Sequence, residues 1–165
     1  MAVVFLLGPG MWAAERTSQP ERAPIDVRRR LAQILKGGGH SVVLMEDVPD
    51  LPGEGMVEKF VRILSDGVTE VLLYWPQKAK MQTTYDELLL LSERPALLRE
   101  LRIRIWALHH ATVARITKDN FQILETGQRS RYLTDVARLG LRPLEWETDE
   151  DREEQVRLLA TELDP

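Results

Sequence analysis

The sequence predicts an α/β domain, a three-layer α/β/α sandwich built on a mainly parallel five-stranded sheet. Three observations carry that expectation. Short β-branched apolar runs alternate with segments of helical apolar spacing along most of the 165 residues. Such alternation demands right-handed crossovers, and so parallel strands with helices on both faces. The runs at residues 3–7 and 71–75 are apolar almost throughout, as strands buried on both sides are. Gly or Pro stands at the ends of successive segments, at Gly8, Gly37, Gly67, Pro76 and Gly140.

Each element follows from its own residues. Val3, Val4, Phe5, Leu6 and Leu7 form a first strand that ends at Gly8-Pro9-Gly10. The stretch resembles a signal h-region, but it has no basic flank and no small-residue cleavage site, so a buried strand is expected. Val27, Leu31, Ile34 and Leu35 recur at i, i+4, i+7 and i+8, and Gly37-Gly38-Gly39 stops this first helix. Residues 41–45 read as a second strand, with Glu46 and Asp47 at its carboxyl end and an acidic Pro/Gly loop beyond. Val57, Phe60, Val61 and Leu64 define a helix closed by Asp66-Gly67, and a third strand over 68–75 ends at Pro76. Thr84 is expected to cap a helix carrying the Leu88–Leu91 run, which Pro95 closes or kinks.

Residues 102–108 form a fourth strand with His109-His110 at its end. The β-branched and aromatic residues around Thr117-Lys118-Asp119-Asn120 leave room for a small β-hairpin insertion around residues 112–125. Tyr132, Leu133, Val136 and Leu139 predict a helix ending at Gly140. A last strand over 141–146 and a closing helix through Val156, Leu159, Ala160 and Leu163 complete the chain. No linker or internal repeat divides it, so residues 1–165 are expected to form a single α/β domain. Five parallel strands favour a flavodoxin-like order, in which ligands bind beyond the carboxyl ends of the strands where strand order reverses. Residues 8–12, 46–55, 75–87 and 109–110 all fall on that edge.

Composition narrows the function. Hydrophobic residues at 44% and charged residues at 29% are globular values, and no apolar run approaches the roughly 20 residues of a membrane span. The absence of cysteine removes disulfides, thiolate metal sites and thiol nucleophiles, and makes a cytoplasmic setting the default. A net charge of −4 makes nucleic acid the poorer partner.

Gly8-Pro9-Gly10 lacks the third glycine of a dinucleotide fingerprint and the Lys of a P-loop. Beyond ending a strand, its bare backbone would let a sugar or phosphate approach, and Trp12 would stack on a base. Glu87 lies near the start of the helix after strand three. There a carboxylate can attack or stabilise an oxocarbenium-like centre, or simply oppose the helix dipole. Adjacent strand residues point in opposite directions, so at most one of His109 and His110 faces a cleft. No third ligand joins them, and no metal is expected. Arg28-Arg29-Arg30 and the acidic run 145–154 read as solvated surface, with phosphate or partner binding the lesser reading for the arginines.

Read in chain order, the first 110 residues resemble the Toll/interleukin receptor (TIR) domain and the nucleoside deoxyribosyltransferases. Val3–Leu7 looks like the first TIR strand, Asp50-Leu51-Pro52-Gly53-Glu54 like the loop after strand two, and Val71–Pro76 with Glu87-Leu88 like the third strand and its following Glu-Leu. Thr83 and Thr84 stand where that family often has Trp-Cys. Leu6-Leu7-Gly8-Pro9 and Thr84-Tyr85-Asp86-Glu87 are similar to the strand end and helix start of the deoxyribosyltransferases. Both resemblances imply a nucleoside- or nucleotide-binding domain that cleaves or transfers an N-glycosidic bond through Glu87, with NAD or nucleosides as substrate and no cofactor required. They further imply that Gly8, Pro9, Gly10 and Thr84 line the substrate, that Trp12 or Trp75 stacks on the base, and that Tyr85 or His110 orients the ribose. The alternative is a non-enzymatic TIR-like interaction or nucleotide-sensing domain, working as a homo-oligomer.

Overall fold

A computed structural model describes residues 1–8, 19–76, 82–111, 114–116, 121–123, 131–133 and 139–163. In chain order these form β1 (Val3–Leu7), α1 (Gln19–Gly37), β2 (Ser41–Val43), a 3₁₀ turn (Met45–Asp47), α2 (Met56–Ser65), β3 (Glu70–Trp75), α3 (Gln82–Ser92) and α4 (Pro95–Glu100). There follow β4 (Arg104–His110), β5 (Ala114–Ile116), β6 (Phe121–Ile123), β7 (Arg131–Leu133), β8 (Arg142–Trp146) and α5 (Asp149–Glu162).

Five strands make one parallel sheet in the order β2-β1-β3-β4-β8. With β5, β6 and β7 set aside, this is the flavodoxin-like order, as the strand–helix alternation predicts. Phe5 pairs with Val71, Val71 with Ile105 and Trp106 with Arg142. The period of two then divides the side chains between two cores. Phe5, Leu7, Val71, Leu73, Trp75 and Ile105 meet Phe60 and Leu64 of α2, Leu88 and Leu91 of α3 and Leu98 of α4. On the other face Val4, Leu6, Leu72, Tyr74, Trp106 and Leu108 meet Leu31 and Leu35 of α1 and Val156 and Leu159 of α5. These are the three layers.

Helix ends follow capping chemistry. Glu58 accepts the Gly55 N–H at 2.9 Å at the start of α2, and Thr148 Oγ1 accepts the Asp151 N–H at 3.1 Å at the start of α5. On the α1–α5 side, Gly38 comes so close to α5 that a Cβ there would lie 2.9 Å from the Ala160 Cβ. Buried His40 fastens the same corner. Its Nδ1 accepts the Ala2 N–H at 3.2 Å, so its Nε2 carries the hydrogen and donates to the Ala160 carbonyl at 2.8 Å.

The structure departs from the sequence reading in three places. Thr84 lies inside α3 rather than capping it, because the helix already begins at Gln82. The helix before Pro95 does end ahead of it, at Ser92, but Pro95 also starts a separate helix at a first-turn position, where its missing N–H costs nothing, and β4 accordingly begins at Arg104. Tyr132 and Leu133 belong to β7, not to a helix: Tyr132 pairs with Gln122 and Leu133 with Phe121 in a three-stranded antiparallel sheet of β5, β6 and β7. Strand pairing overrides a short apolar spacing there. Among the described residues no helix is long and apolar enough to cross a membrane.

Candidate functional site

The strand order reverses between β1 and β3, so the crevice beyond their carboxyl ends, at Gly8 and Trp75, is where this topology opens a ligand site. Three elements deliver ionisable side chains there. Helix α3 contributes Glu87, helix α1 contributes Arg28, and the turn after β2 contributes Glu46.

Glu87 is buried, with 8% of its surface exposed, and its carboxyl receives the Gly8 backbone N–H. Burial pushes its pKa up to about 8, against the opposing pull of the Arg28 guanidinium and the Gly8 amide, while Glu46 and Asp86 add repulsion. Its Oε2 has no hydrogen-bond partner among the described residues. One helical turn earlier on the same face, Thr84 is wholly buried and its Oγ1 is likewise unpartnered among those residues. Buried polar atoms are normally hydrogen-bonded, so these two on one helix face have capacity for a further partner.

Arg28 is 2% exposed and forms an ion pair with Glu46, whose side chain is 7% exposed. Exposed Arg29 adds a longer contact to Glu46 at 3.7 Å. Within this group Arg28 and Glu46 neutralise each other, and Glu87 keeps no dedicated counter-ion. The proton-bearing carboxyl is therefore the dominant form at neutral pH.

Gly8 lets the group assemble. A Cβ at this position would lie 3.2 Å from the Arg28 Cδ and 3.3 Å from the Tyr74 Cβ, so the bare α-carbon allows both to close over the strand end. Tyr74 is buried beside it, and that burial pushes its phenol up to about 12 against the pull of Arg152. The tyrosine stays protonated.

The expected site residues are thus partly gathered. Glu87 meets Gly8 at the end of β1, and Thr84 lies one turn away on the same face of α3. Trp75 instead stands wholly buried in the core that includes Leu88 and Leu91, because β3 is covered on both faces, and it has no open ring face for a base. His110 turns toward the sheet's last strand, its ring edge-on to Trp146 at 4.7 Å between centroids and its Nε2 3.1 Å from the Glu147 carbonyl. Pro9, Gly10 and Trp12 lie outside the described residues, as does the side chain of Tyr85 in α3. Among the described residues no group of three side chains suited to a metal comes together.

A comparison of the chain with protein-family models, with curated proteins and with solved structures finds no match. The geometry therefore carries the functional reading.

Sequence reasoning placed Glu46 on the binding edge without giving it a role, and it missed Arg28. Arg28 reads as part of a solvated basic cluster, yet it precedes Leu31, Ala32 and Leu35 by three, four and seven residues. That spacing puts it on the buried face of α1, and this was the available signal.

Proposed function

We propose that the chain binds a nucleoside or nucleotide in the β1–β3 crevice and cleaves or transfers its N-glycosidic bond through Glu87. One observation carries the reading: a buried carboxyl at the strand-order reversal meets a backbone amide yet leaves Oε2 without a partner among the described residues. The resemblance of Thr84-Tyr85-Asp86-Glu87 to the deoxyribosyltransferase helix start, and of Glu87-Leu88 to the TIR Glu-Leu, supports the same residue.

In this mechanism the ionised Glu87 attacks the anomeric carbon. The C–N bond breaks, the base departs with the bonding electron pair, and the glycosyl ester passes to water or to an acceptor base. The nicotinamide of NAD leaves as a neutral molecule, whereas other bases need a proton. A pKa near 8 leaves only a minority of Glu87 ionised at neutral pH, and a cationic pyridinium bound beside it would favour ionisation. The absence of cysteine supports a cytoplasmic setting.

Incubation with NAD and a deoxynucleoside panel, with released base followed by chromatography, tests the proposal. Base release is expected to rise with pH toward a plateau above about 8, and Glu87→Gln should lose roughly 10²–10⁴-fold. Unchanged release by Glu87→Gln would refute the mechanism. No release at all, with concentration-dependent light scattering, would instead support a non-enzymatic, self-associating domain.

A further inference from the structure

The amino-terminal edge of the sheet, opposite the Glu87 crevice, gathers a different charge. Residues 94–104 hold four arginines, Arg94, Arg99, Arg102 and Arg104, against the single acid Glu100, in a chain whose net charge is −4. Helix α4 runs into β4 through a tight turn closed by two backbone hydrogen bonds. The Arg102 N–H donates to the Arg99 carbonyl at 3.1 Å, and the Ile103 N–H donates to the Leu98 carbonyl at 2.9 Å. This closure needs a left-handed residue at its hinge, and Arg102 supplies it with φ 56°. Glycine takes that conformation at no steric cost, and every other positive-φ position among the described residues is glycine. An arginine is held where glycine would relieve strain.

The side chain that this strain positions borders a cavity of about 280 Å³ whose lining includes Leu98, Arg99, Arg102, Ile103, Arg104 and Leu139. The three guanidiniums are not equivalent. Arg104 is committed to buried Glu70, with Nε at 2.8 Å and Nη2 at 2.5 Å from the carboxylate. Arg99 and Arg102 are exposed, and neither meets a carboxylate among the described residues. Leu98, Ile103 and Pro95 supply apolar walls between them.

We infer that this cavity is a binding site for a small organic anion: an oxyanion head, carboxylate or phosphate monoester, on a compact apolar body. The planar guanidinium fork of Arg102 accepts either head in bidentate fashion, Arg99 adds a second positive charge, and the apolar walls take the body. Backbone strain retained under one side chain is the pattern expected where that side chain serves a ligand rather than the fold. The site is separate from the Glu87 crevice and does not depend on its chemistry.

Calorimetric titration of the full chain with phenyl phosphate and with benzoate tests the inference, with phenol and inorganic phosphate as partial ligands. Saturable binding of at least one aromatic anion at millimolar concentration is expected, and the stronger of the two identifies the head group. Arg102→Gly should weaken it about tenfold or more, the loss of one charge-assisted contact. The same variant should raise the melting temperature by about 2–4 °C through relief of the left-handed strain. Arg99→Gln, which leaves the turn untouched, should also weaken binding, and Glu87→Gln should leave it unchanged. Binding by Arg102→Gly and Arg99→Gln at wild-type strength, phenol binding as tightly as the anions, or no binding by either aromatic anion would each overturn the inference.

Discussion

Arg28 and Glu46 form an ion pair almost wholly removed from solvent, and it lies beside the buried Glu87 carboxyl, which forms no ion pair of its own among the described residues. Two charges taken from water this far hold together only because each compensates the other. The pair also keeps Arg28 engaged with a residue other than Glu87.

Replacing Glu46 tests both consequences. Glu46→Gln leaves a buried guanidinium without its carboxylate and should cost about 3–5 kcal/mol in urea denaturation. It also removes a negative charge that raises the Glu87 pKa, so the rising limb of any Glu87-dependent pH–rate profile should move to lower pH. A stable variant with an unmoved limb would show that the three groups act independently.

Glu87 itself should make stability pH-dependent, with a definite sign. Its carboxyl ionises near 4.5 in the unfolded chain and near 8 in the folded one. Between those values the folded state binds the extra proton, so its stabilisation is fully present below about 4.5 and is lost as pH rises through about 8. Glu87→Gln should flatten this decline. At neutral pH it should be more stable than the parent by on the order of 2–3 kcal/mol. Equal denaturation midpoints for the two proteins across the window would contradict the burial argument.

Adjacent glycines at the end of α1 should respond in opposite ways to the same substitution. Gly38→Ala places a methyl 2.9 Å from the Ala160 Cβ, on backbone that cannot yield cheaply, and should cost about 1–3 kcal/mol. Gly37 is helical and a Cβ there meets nothing within 4 Å, so Gly37→Ala should be neutral or stabilising by up to about 1 kcal/mol. Ala160→Gly should rescue the first and not the second, a coupling that a double-mutant cycle reads directly.

The fold was legible where one physical rule dominated. Val3–Leu7 and the 71–75 run declare strands buried on both faces, and Leu31 with Leu35 or Phe60 with Leu64 declare helix faces by spacing alone. Legibility failed where a partner distant in sequence decides the outcome. Tyr132 follows a spacing compatible with a helix until Gln122 pairs with it as a strand. The same division holds at the site. Glu87 was legible as a candidate because the chain's own order brings it to the carboxyl edge of the sheet, but the burial of Arg28 depends on Glu46, which arrives from another element. Trp75 shows the reverse error: an aromatic at a strand end suggests a stacking platform, and only the closure of both helical layers reveals it as core.

The latch at His40 bears on how the chain is made. Each strand of the sheet after the first pair adds to the growing edge as synthesis proceeds, β3 beside β1, β4 beside β3 and β8 beside β4. The covering of one face does not keep pace. His40 waits 120 residues for the Ala160 carbonyl, and until α5 emerges Leu72, Tyr74, Trp106 and Leu108 lack the Val156 and Leu159 that pack on their face. A chain halted before residue 149 would therefore leave that part of the apolar face uncovered.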